Sequence, residues 1–402
     1  MSELSALFEG KKNVFVAGSS NEPRALLDEL AVSKLPEGLN FIQFPLPGMN
    51  RVDFTQWHES TLMTTFFMTP DLRHADPSRL NYLPMQMRWV FDYLQQVTEV
   101  ALLQVAYDRE GVLRLGPNVD FADAVLSTDA TIIAQLNPDI TAPAGCPQIS
   151  RDRIDYLFEA PHVLSEMAAP NIDEQALEIG RLVAGLINDG DCLQTGIGAI
   201  PAAILKQLQD KNDLGLHGGL IDDGGMQLIQ SGNVNGVRKE IDQGLHIAGI
   251  ALGSSELYEW LSSQPQVVFR GANHTHEVSA MAKLSNFVSV NSAVEIDLFG
   301  QVNAEVAGGR QISGTGGSVD FMRGAKASPG GRSIIAMNAT AKGGSVSRIV
   351  PQVNMVTALR TDVDIVVTEY GIAHLKHLPN AARKKALIEI AAPQFRDELA
   401  QA

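Results

Sequence analysis

The sequence predicts an α/β fold with two doubly wound domains, each built on an open, mostly parallel sheet. The chain has 402 residues, which is too long for one minimal core and leaves two domains or one large α/β unit. Short apolar runs without polar alternation follow one another along the chain, separated by helical patterns. Such runs are typical of parallel strands that are buried beneath helices on both faces.

The elements of the first half can be placed from these runs. Residues 13–17 form an apolar run that ends at Gly18, and a helical pattern follows as far as Leu30. Further strand candidates are residues 40–46, 100–106 and 131–136. The repetition of strand, helix and strand favours a doubly wound domain.

A predicted helix at residues 171–188 leads into the second half. Its apolar side chains recur at steps of three and four residues, and Asn171 or Asp173 can cap its N-terminus. We therefore expect an N-terminal domain over residues 1–187 and a C-terminal domain over residues 188–402.

The second half repeats the α/β pattern. Strand candidates there are residues 245–252, 334–337 and 363–367. Residues 287–302 alternate in their second part, where Ile296 and Leu298 fall on one face and Asp297 on the other. This alternation predicts a half-exposed strand that turns at residues 299–300.

Composition excludes several classes of protein. Hydrophobic residues make up 45% and charged residues 19%, which is typical of a globular chain and not of a disordered one. The net charge of −15 argues against general binding to nucleic acids or anionic membranes. Because neither a signal peptide nor an apolar run of about 18 residues is present, we expect a cytoplasmic protein. Its two cysteines, Cys146 and Cys192, are expected to be reduced and partly buried.

The segment Gly196-Ile197-Gly198-Ala199 is the first candidate binding loop. A predicted strand leads into it, and a helix is expected to start near Pro201. Glycines at such a junction let backbone N–H groups approach a ligand. A dinucleotide fingerprint would need a third glycine where Pro201 stands, so a dehydrogenase is not indicated. A tight structural turn is the alternative.

A second glycine cluster precedes a basic stretch. Gly314, Gly316 and Gly317 suit a loop with special φ angles or close backbone contact with a bound group, although packing is an alternative. Residues 323–348 contain five basic side chains and no acidic one: Arg323, Lys326, Arg332, Lys342 and Arg348. This pattern predicts a positive field for a phosphate-bearing ligand, or else a solvated face neutralised by distant acidic residues.

A third glycine-rich loop carries His217, Asp222 and Asp223. Adjacent aspartates can bind a metal or serve in acid–base chemistry, but one commonly caps the loop while the other is exposed. His274 and His276 are separated by one residue, a spacing found on strands, and no third ligand is apparent. We therefore expect no metal.

Taken together, these segments resemble the acetyl-CoA hydrolase/transferase family, which contains 4-hydroxybutyrate and butyrate:acetate CoA-transferases. The resemblance covers nearly the whole chain and is strongest from about residue 170 onward. The matching pieces, in order, are LQTGIGAIP (193–201), VNSAVEIDLFGQV (290–302), SGTGGSVDFMRGA (313–325), ATAKGGSVSRIVP (339–351) and DVDIVVTEYGIAHL (362–375).

The resemblance implies two α/β domains with the active site between them and acyl-CoA as substrate, together with a carboxylate acceptor in the transferases. It places the loop of Gly196, Ile197, Gly198 and Ala199 beside the thioester. It places the backbone of Gly314, Gly316 and Gly317 against CoA near the reacting carbonyl, and it makes Lys342 a phosphate partner. It also implies a homodimer or larger homo-oligomer without a metal.

The family's nucleophile is the point at which the resemblance breaks. Its transferases use a glutamate, which forms an acyl-glutamyl anhydride and then a glutamyl-CoA thioester. In the matching segment, LGLHGGLIDDG (214–224), Gly219 stands at the glutamate position. Glycine has no nucleophile, so the usual ping-pong mechanism is not expected here.

Three interpretations follow. Asp222 is the nearest carboxylate that can replace the glutamate, and Glu295 is a weaker candidate because relatives carry it beside their nucleophile. Alternatively, the protein cleaves or transfers acyl groups without a covalent enzyme intermediate, with a water in the space at Gly219 polarised against the glycine-loop amides, which stabilise the oxyanion. In the third, the chain binds CoA esters without catalysis, as a sensor or partner subunit. The sequence thus predicts a CoA-transferase or acyl-CoA hydrolase acting on a short-chain or small carboxylic acyl group.

Overall fold

The computed structural model of the protein describes residues 3–402 and shows a mixed α/β fold, which confirms the predicted class. The chain divides into two compact units. The first contains the chain up to Ala168 together with Ile247–Thr275, and the second contains Ala169–His246 and His276–Ala402. These units differ from the expected division after residue 187, because the helix Glu174–Ala184 packs on the helix Ala199–Lys206 of the second unit.

The first unit is built on an eight-stranded sheet. Its strands are β1 (Asn13–Val16), β2 (Asn40–Gln43), β3 (Leu62–Thr65), β4 (Leu80–Tyr82), β5 (Val100–Tyr107), β6 (Leu113–Leu115), β7 (Thr131–Leu136) and β8 (Tyr156–Glu159). The order is β4-β3-β2-β1-β5-β7-β8, all parallel, while β6 pairs antiparallel with β5. The order reverses direction between β1 and β5, as in doubly wound folds.

The central strands of this sheet come from the apolar runs that the sequence marked. All residues of β5 before Tyr107 are buried, as are all residues of β7 after Thr131. Helices of the first unit are Glu3–Ala6, Arg24–Val32, Met87–Val97, Ala122–Leu126, Ser255–Leu261 and Ala272–Thr275. The strand expected at residues 245–252 is split into His246–Ala248 and Ile250–Ala251, and a further short strand is Val267–Phe269.

The second unit has its own open sheet of six strands. They are β9 (Cys192–Thr195), β10 (Gly215–Leu216), β11 (Phe287–Asn291), β12 (Arg332–Ala336), β13 (Ile365–Thr368) and β14 (Gly371–His374). The order is β10-β9-β11-β12-β13-β14, and only the last pair is antiparallel. The carboxyl ends of the parallel strands therefore meet at one edge of this sheet.

Helices cover the second sheet. They are Glu174–Ala184, Ala199–Lys206, Asp223–Gln230, Val278–Met281, Ser318–Ala327, Asn380–Glu389 and Arg396–Gln401. Asp173 caps the first of them by accepting a hydrogen bond from the Ala176 amide at 2.8 Å. Ile179 and Val183 of the same helix are buried against Leu193 and Ile334 of the sheet. None of the helices within residues 3–402 is long and apolar enough to span a membrane.

The segment after β11 forms short strands outside the six-stranded sheet. Glu295–Asp297 pairs antiparallel with Val302–Asn303, and Gly300 has a φ of +91° in the turn between them, as predicted. The expected exposure of Asp297 is wrong, since this side chain is fully buried. It accepts hydrogen bonds from the amides of Phe299 and Gln301 and so closes the turn. The other short strands are Leu220–Ile221, Val306–Ala307, Arg310–Gln311, Thr340–Ala341, Val346–Ser347 and Ile349–Val350.

Candidate active site

Two of the glycine-rich loops leave the same edge of the second sheet. Residues 196–198 follow β9, and residues 217–219 follow β10. Because β9 and β10 are parallel neighbours, the two loops begin side by side. A Cβ placed on Gly218 would lie 3.3 Å from Cγ of Gln194 in β9, so the loop rests directly on that strand.

The loop of residues 196–199 is open. Gly198 has a φ of +111° and is the N-cap of the helix Ala199–Lys206, a backbone conformation that favours glycine. A Cβ on Gly196 or Gly198 would meet no atom within 4 Å, and the Ile197 side chain is 41% exposed. The space beside this loop, at the N-terminus of the helix, is therefore open and leaves room for a ligand.

The loop of residues 313–317 is anchored by a buried carboxylate. Glu305 is 6% exposed and accepts hydrogen bonds from Thr357 Oγ1 at 2.8 Å, Gln311 Nε2 at 3.1 Å and Thr315 Oγ1 at 3.4 Å. Gly316 has a φ of +56°, and Gly317 is the N-cap of the helix Ser318–Ala327. Gly314 is buried, whereas Gly316 and Gly317 are half-buried.

The imidazole of His276 lies between the loop of Gly219 and the loop of Gly317. A Cβ on Gly219 would lie 3.2 Å from His276 Cε1 and 3.3 Å from Nε2. A Cβ on Gly317 would lie only 2.3 Å from Nε2 and 2.4 Å from Cδ2. The ring also packs on Phe321, with 4.4 Å between ring centroids. Two glycines that the sequence placed in separate loops therefore meet at one histidine.

His276 is uncharged in this setting. The side chain is 1% exposed, and burial lowers the pKa of His276 to about 3 from its ordinary value of 6.5. The spacing of His274 and His276 is typical of metal ligands on a strand, but the preceding residues Ala272–Thr275 form a helical turn. The signal in the sequence was the pair of glycines, whose missing side chains leave room for a ring.

Asp222, the predicted replacement nucleophile, caps a helix. Its Oδ1 accepts a hydrogen bond from the Gly225 amide at 2.8 Å, and Asp222 is the N-cap of the helix Asp223–Gln230. Burial raises the pKa of Asp222, and the Gly225 hydrogen bond only partly opposes this shift. Because the Asp222 carboxylate is hydrogen-bonded to the helix backbone, it is a poor nucleophile.

Lys239 braces the backbone that leads to Gly219, a contact that the sequence did not suggest. The side chain is 4% exposed, and its Nζ donates to the carbonyl oxygens of Leu216 at 3.2 Å and Leu245 at 2.8 Å. Burial lowers the pKa of Lys239. The ammonium group ties the end of β10 to a distant part of the chain and so fixes where the loop begins.

The basic residues between 323 and 348 do not form one positive face. Arg332 pairs with Asp191, and Arg323 lies 3.4 Å from Asp362. Arg348 donates to backbone carbonyl groups. Lys342 is exposed and forms no ion pair with any residue between 3 and 402. The alternative of neutralisation by distant acidic residues therefore applies to most of this stretch, and Lys342 is the lysine left for an anionic ligand.

The comparisons with known proteins agree with the motifs. The family model of the acetyl-CoA hydrolase/transferase C-terminal domain matches residues 253–402. The 4-hydroxybutyrate coenzyme A transferase of Clostridium kluyveri is 41% identical over 400 residues, which cover 97% of this chain and 93% of that protein. The butyryl-CoA:acetate CoA-transferase of Anaerostipes caccae is 31% identical, over 93% of this chain and 89% of that protein.

A solved structure shows the same relationship. RipA from Yersinia pestis superposes with a TM-score of 0.91 at 30% identity, covering 99% of this chain and 95% of that one. Sequence and fold thus agree over nearly the full length, and the resemblance first indicated by the motifs is confirmed. The chain belongs to the acetyl-CoA hydrolase/transferase family.

Proposed function

We propose that this protein is an enzyme that cleaves the thioester of a short-chain or small carboxylic acyl-CoA, and that water is its acyl acceptor. Family membership supports the substrate class, because the relatives named above are CoA-transferases. A non-catalytic CoA-ester binder or partner subunit is not favoured by these relatives.

The observation that supports water as the acceptor is that none of the three positions expected to provide the nucleophile, Gly219, Asp222 and Glu295, offers a carboxylate without a hydrogen-bond partner. The family's transferases need a carboxylate that can hold CoA as a thioester between two half-reactions. Gly219 supplies none, and Asp222 is occupied as a helix cap. Glu295 lies on the separate strand Glu295–Asp297, where its Oε2 accepts a hydrogen bond from Asn303 at 3.2 Å. Direct hydrolysis requires no carboxylate of this kind.

CoA would bind at the two glycine loops of residues 196–199 and 314–317 and at Lys342. The open space at Gly196 and Gly198 leaves room for the group near the thioester, and Gly317 lies close to Gly219 because both contact the His276 ring. Lys342 follows β12 and is free to meet a phosphate group. A homo-oligomeric state, a cytoplasmic location and independence from metals remain predictions, and a carboxylate acceptor is the alternative to water.

Turnover of a panel of acyl-CoAs tests this function. The purified protein is incubated with acetyl-, butyryl-, 4-hydroxybutyryl- and succinyl-CoA while free thiol is measured. We expect thiol release from at least one of them, with Lys342→Ala raising KM and leaving kcat nearly unchanged. Tight binding of the esters without any thiol release would contradict the proposal and support the binder.

A further inference from the structure

A small cavity borders the candidate site within the second unit. It has a volume of about 20 Å³ and is lined by residues of β9, of β10 and of the next helix after each of these strands. Its wall includes Thr195, directly before the open loop of residues 196–199. It also includes Gly218, directly before Gly219. The cavity therefore adjoins both the open loop and the position that the resemblance gives to the family's glutamate.

The wall of this cavity is mainly aliphatic. Most of its side chains are leucine, isoleucine and valine, among them Leu205, Leu216, Leu228 and Val234. Of the polar side chains in the wall, the Gln194 amide is hydrogen-bonded to Asn291. Asp222 accepts its hydrogen bond from the Gly225 amide. A buried water needs two to four polar partners, so this wall suits an apolar group better than a water.

Gly225 leaves part of this space unfilled. It lies in the helix Asp223–Gln230, where glycine is a poorer helix former than alanine. A Cβ at this position would lie 3.3 Å from Ile221 Cγ1 and 3.6 Å from Leu216 Cδ1. An alanine would therefore fit after a small shift of its neighbours, and its methyl group would occupy part of the cavity.

We propose that this cavity receives the apolar end of the acyl chain, an assignment that rests on the proposed acyl-CoA function. With the thioester beside Gly219, the chain passes Gly218 and places its last carbon atoms among the aliphatic side chains. A water molecule needs about 10–15 Å³ on this scale, so a volume of about 20 Å³ holds one or two carbon-sized groups. The substrates are then unsubstituted short chains such as propionyl and butyryl.

The same wall selects against acyl groups with a polar end. A hydroxyl or carboxylate group that enters the cavity loses its hydration and finds few hydrogen-bonding partners. The 4-hydroxybutyryl and succinyl esters are therefore poorer substrates than the butyryl ester. In this respect the chain would differ from its relative in Clostridium kluyveri, which is a 4-hydroxybutyrate coenzyme A transferase.

The competing interpretation is that the cavity is a packing space that never contacts the substrate. Gly225→Ala narrows the cavity and keeps the amide that Asp222 caps. Leu228→Ala widens the cavity, and Val234→Ala is a smaller widening change that serves if the first does not fold.

Two matched controls lie outside the cavity wall. Gly185→Ala is the same glycine substitution at the end of the helix Glu174–Ala184, where the nearest atom to a Cβ is in ordinary contact at 3.4 Å. Leu208→Ala truncates a fully buried leucine of the same hydrophobic core that does not line the cavity.

The measurement is kcat/KM for thiol release from acetyl-, propionyl-, butyryl-, hexanoyl- and 4-hydroxybutyryl-CoA, together with the melting temperature of each variant. We expect the wild type to favour propionyl- or butyryl-CoA over the acetyl, hexanoyl and 4-hydroxybutyryl esters by at least about tenfold. Gly225→Ala should lower the butyryl-to-acetyl ratio of kcat/KM at least about tenfold. Leu228→Ala or Val234→Ala should raise the hexanoyl-to-butyryl ratio by a similar factor, and both controls should keep the wild-type ratios.

Each contrary result has its own meaning. If the narrowing and widening variants keep the wild-type ratios within about threefold, the cavity is only a packing space and the proposed function stands without it. A wild-type preference for 4-hydroxybutyryl-CoA over butyryl-CoA would also overturn the inference and leave an acyl-CoA enzyme. If the wild type releases no thiol from any ester, this inference and the proposed function both fail.

Discussion

At the scale of single residues, the glycine at position 317 is set by its neighbour and not by its own backbone. Its φ of −97° suits any residue, but a Cβ there would overlap the His276 ring. We expect Gly317→Ala to destabilise the protein by about 1–3 kcal/mol through this clash. Thermal unfolding of the variant measures the loss.

Two variants control this prediction. Gly219→Ala should cost less, about 1 kcal/mol or below, because its Cβ would lie 3.2 Å from the ring. Adding His276→Ala should remove most of the penalty of Gly317→Ala, since residues in contact are not additive. Equal melting temperatures for Gly317→Ala and the wild type would show that the ring does not occupy this position.

Asp222 is a structural residue in this account. Asp222→Ala removes the hydrogen bond to the Gly225 amide and should destabilise the helix Asp223–Gln230 by about 1 kcal/mol. Asp222→Ser keeps a capping oxygen and should recover most of that loss. Thiol release by both variants should stay within a few-fold of wild type. A collapse of kcat in folded Asp222→Ser would instead make Asp222 the replacement nucleophile.

At the scale of elements, Glu305 orders the loop of residues 313–317, whose Gly317 contacts the His276 ring. Glu305→Ala removes three side-chain hydrogen bonds that hold Gln311, Thr315 and Thr357. Each bond to a charged group contributes about 1.5–3 kcal/mol, so amide hydrogen exchange in residues 311–317 should accelerate at least about tenfold. Thr357→Val, which removes one bond, should have a smaller effect. Unchanged exchange in Glu305→Ala would show that other contacts order this loop.

The elements differ in how far the sequence could predict them. The central strands β5 and β7 were found because their apolar runs are continuous. The helix Asp223–Gln230 was missed, because Gly224 and Gly225 lower helix propensity by about 1 kcal/mol each. Its Asp222 cap and its buried Met226 and Leu228 outweigh that cost.

The sequence could not show whether the basic stretch of residues 323–348 forms a positive face, because the acidic partners of Arg332 and Arg323 are distant in sequence.

At the scale of the whole molecule, a buried acid makes stability depend on pH. Asp120 is 4% exposed, its Oδ1 has no hydrogen-bond partner among residues 3–402, and burial raises its pKa to about 8. The folded protein holds this proton up to about pH 8, whereas the unfolded chain releases it near pH 4. Its contribution to stability is therefore complete below pH 4 and falls by about 1.4 kcal/mol per unit up to pH 8.

Asp120→Asn isolates this contribution. The amide stays neutral, so the variant should gain melting temperature over wild type as the pH rises from 5 to 8. Melting curves of both proteins at pH 5, 6.5 and 8 measure the difference, in which all other titrating groups cancel. A difference that is constant across this range would contradict a protonated Asp120.

The fold and the family were predictable from the sequence, but the packing around Gly219 was not. Strand periodicity and the ordered motifs indicated the α/β units and the family, and the resemblance placed Gly219 at the position of the family's glutamate. The contact of His276 with Gly219 and Gly317 could not be predicted, because it joins three segments that are distant in the chain. The division into units could not be predicted from the sequence either, because the first unit also contains a distant segment of the chain, Ile247–Thr275.

Isotope tracing tests most directly whether water is the acceptor. Wild-type enzyme is incubated with butyryl-CoA in H₂¹⁸O together with acetate. All acids and CoA esters, with their ¹⁸O content, are then identified by mass spectrometry. The account predicts butyrate with one ¹⁸O, one equivalent of free CoA thiol and no acetyl-CoA. Formation of acetyl-CoA at the expense of butyryl-CoA would contradict it, because a carboxylate and not water would then be the acceptor.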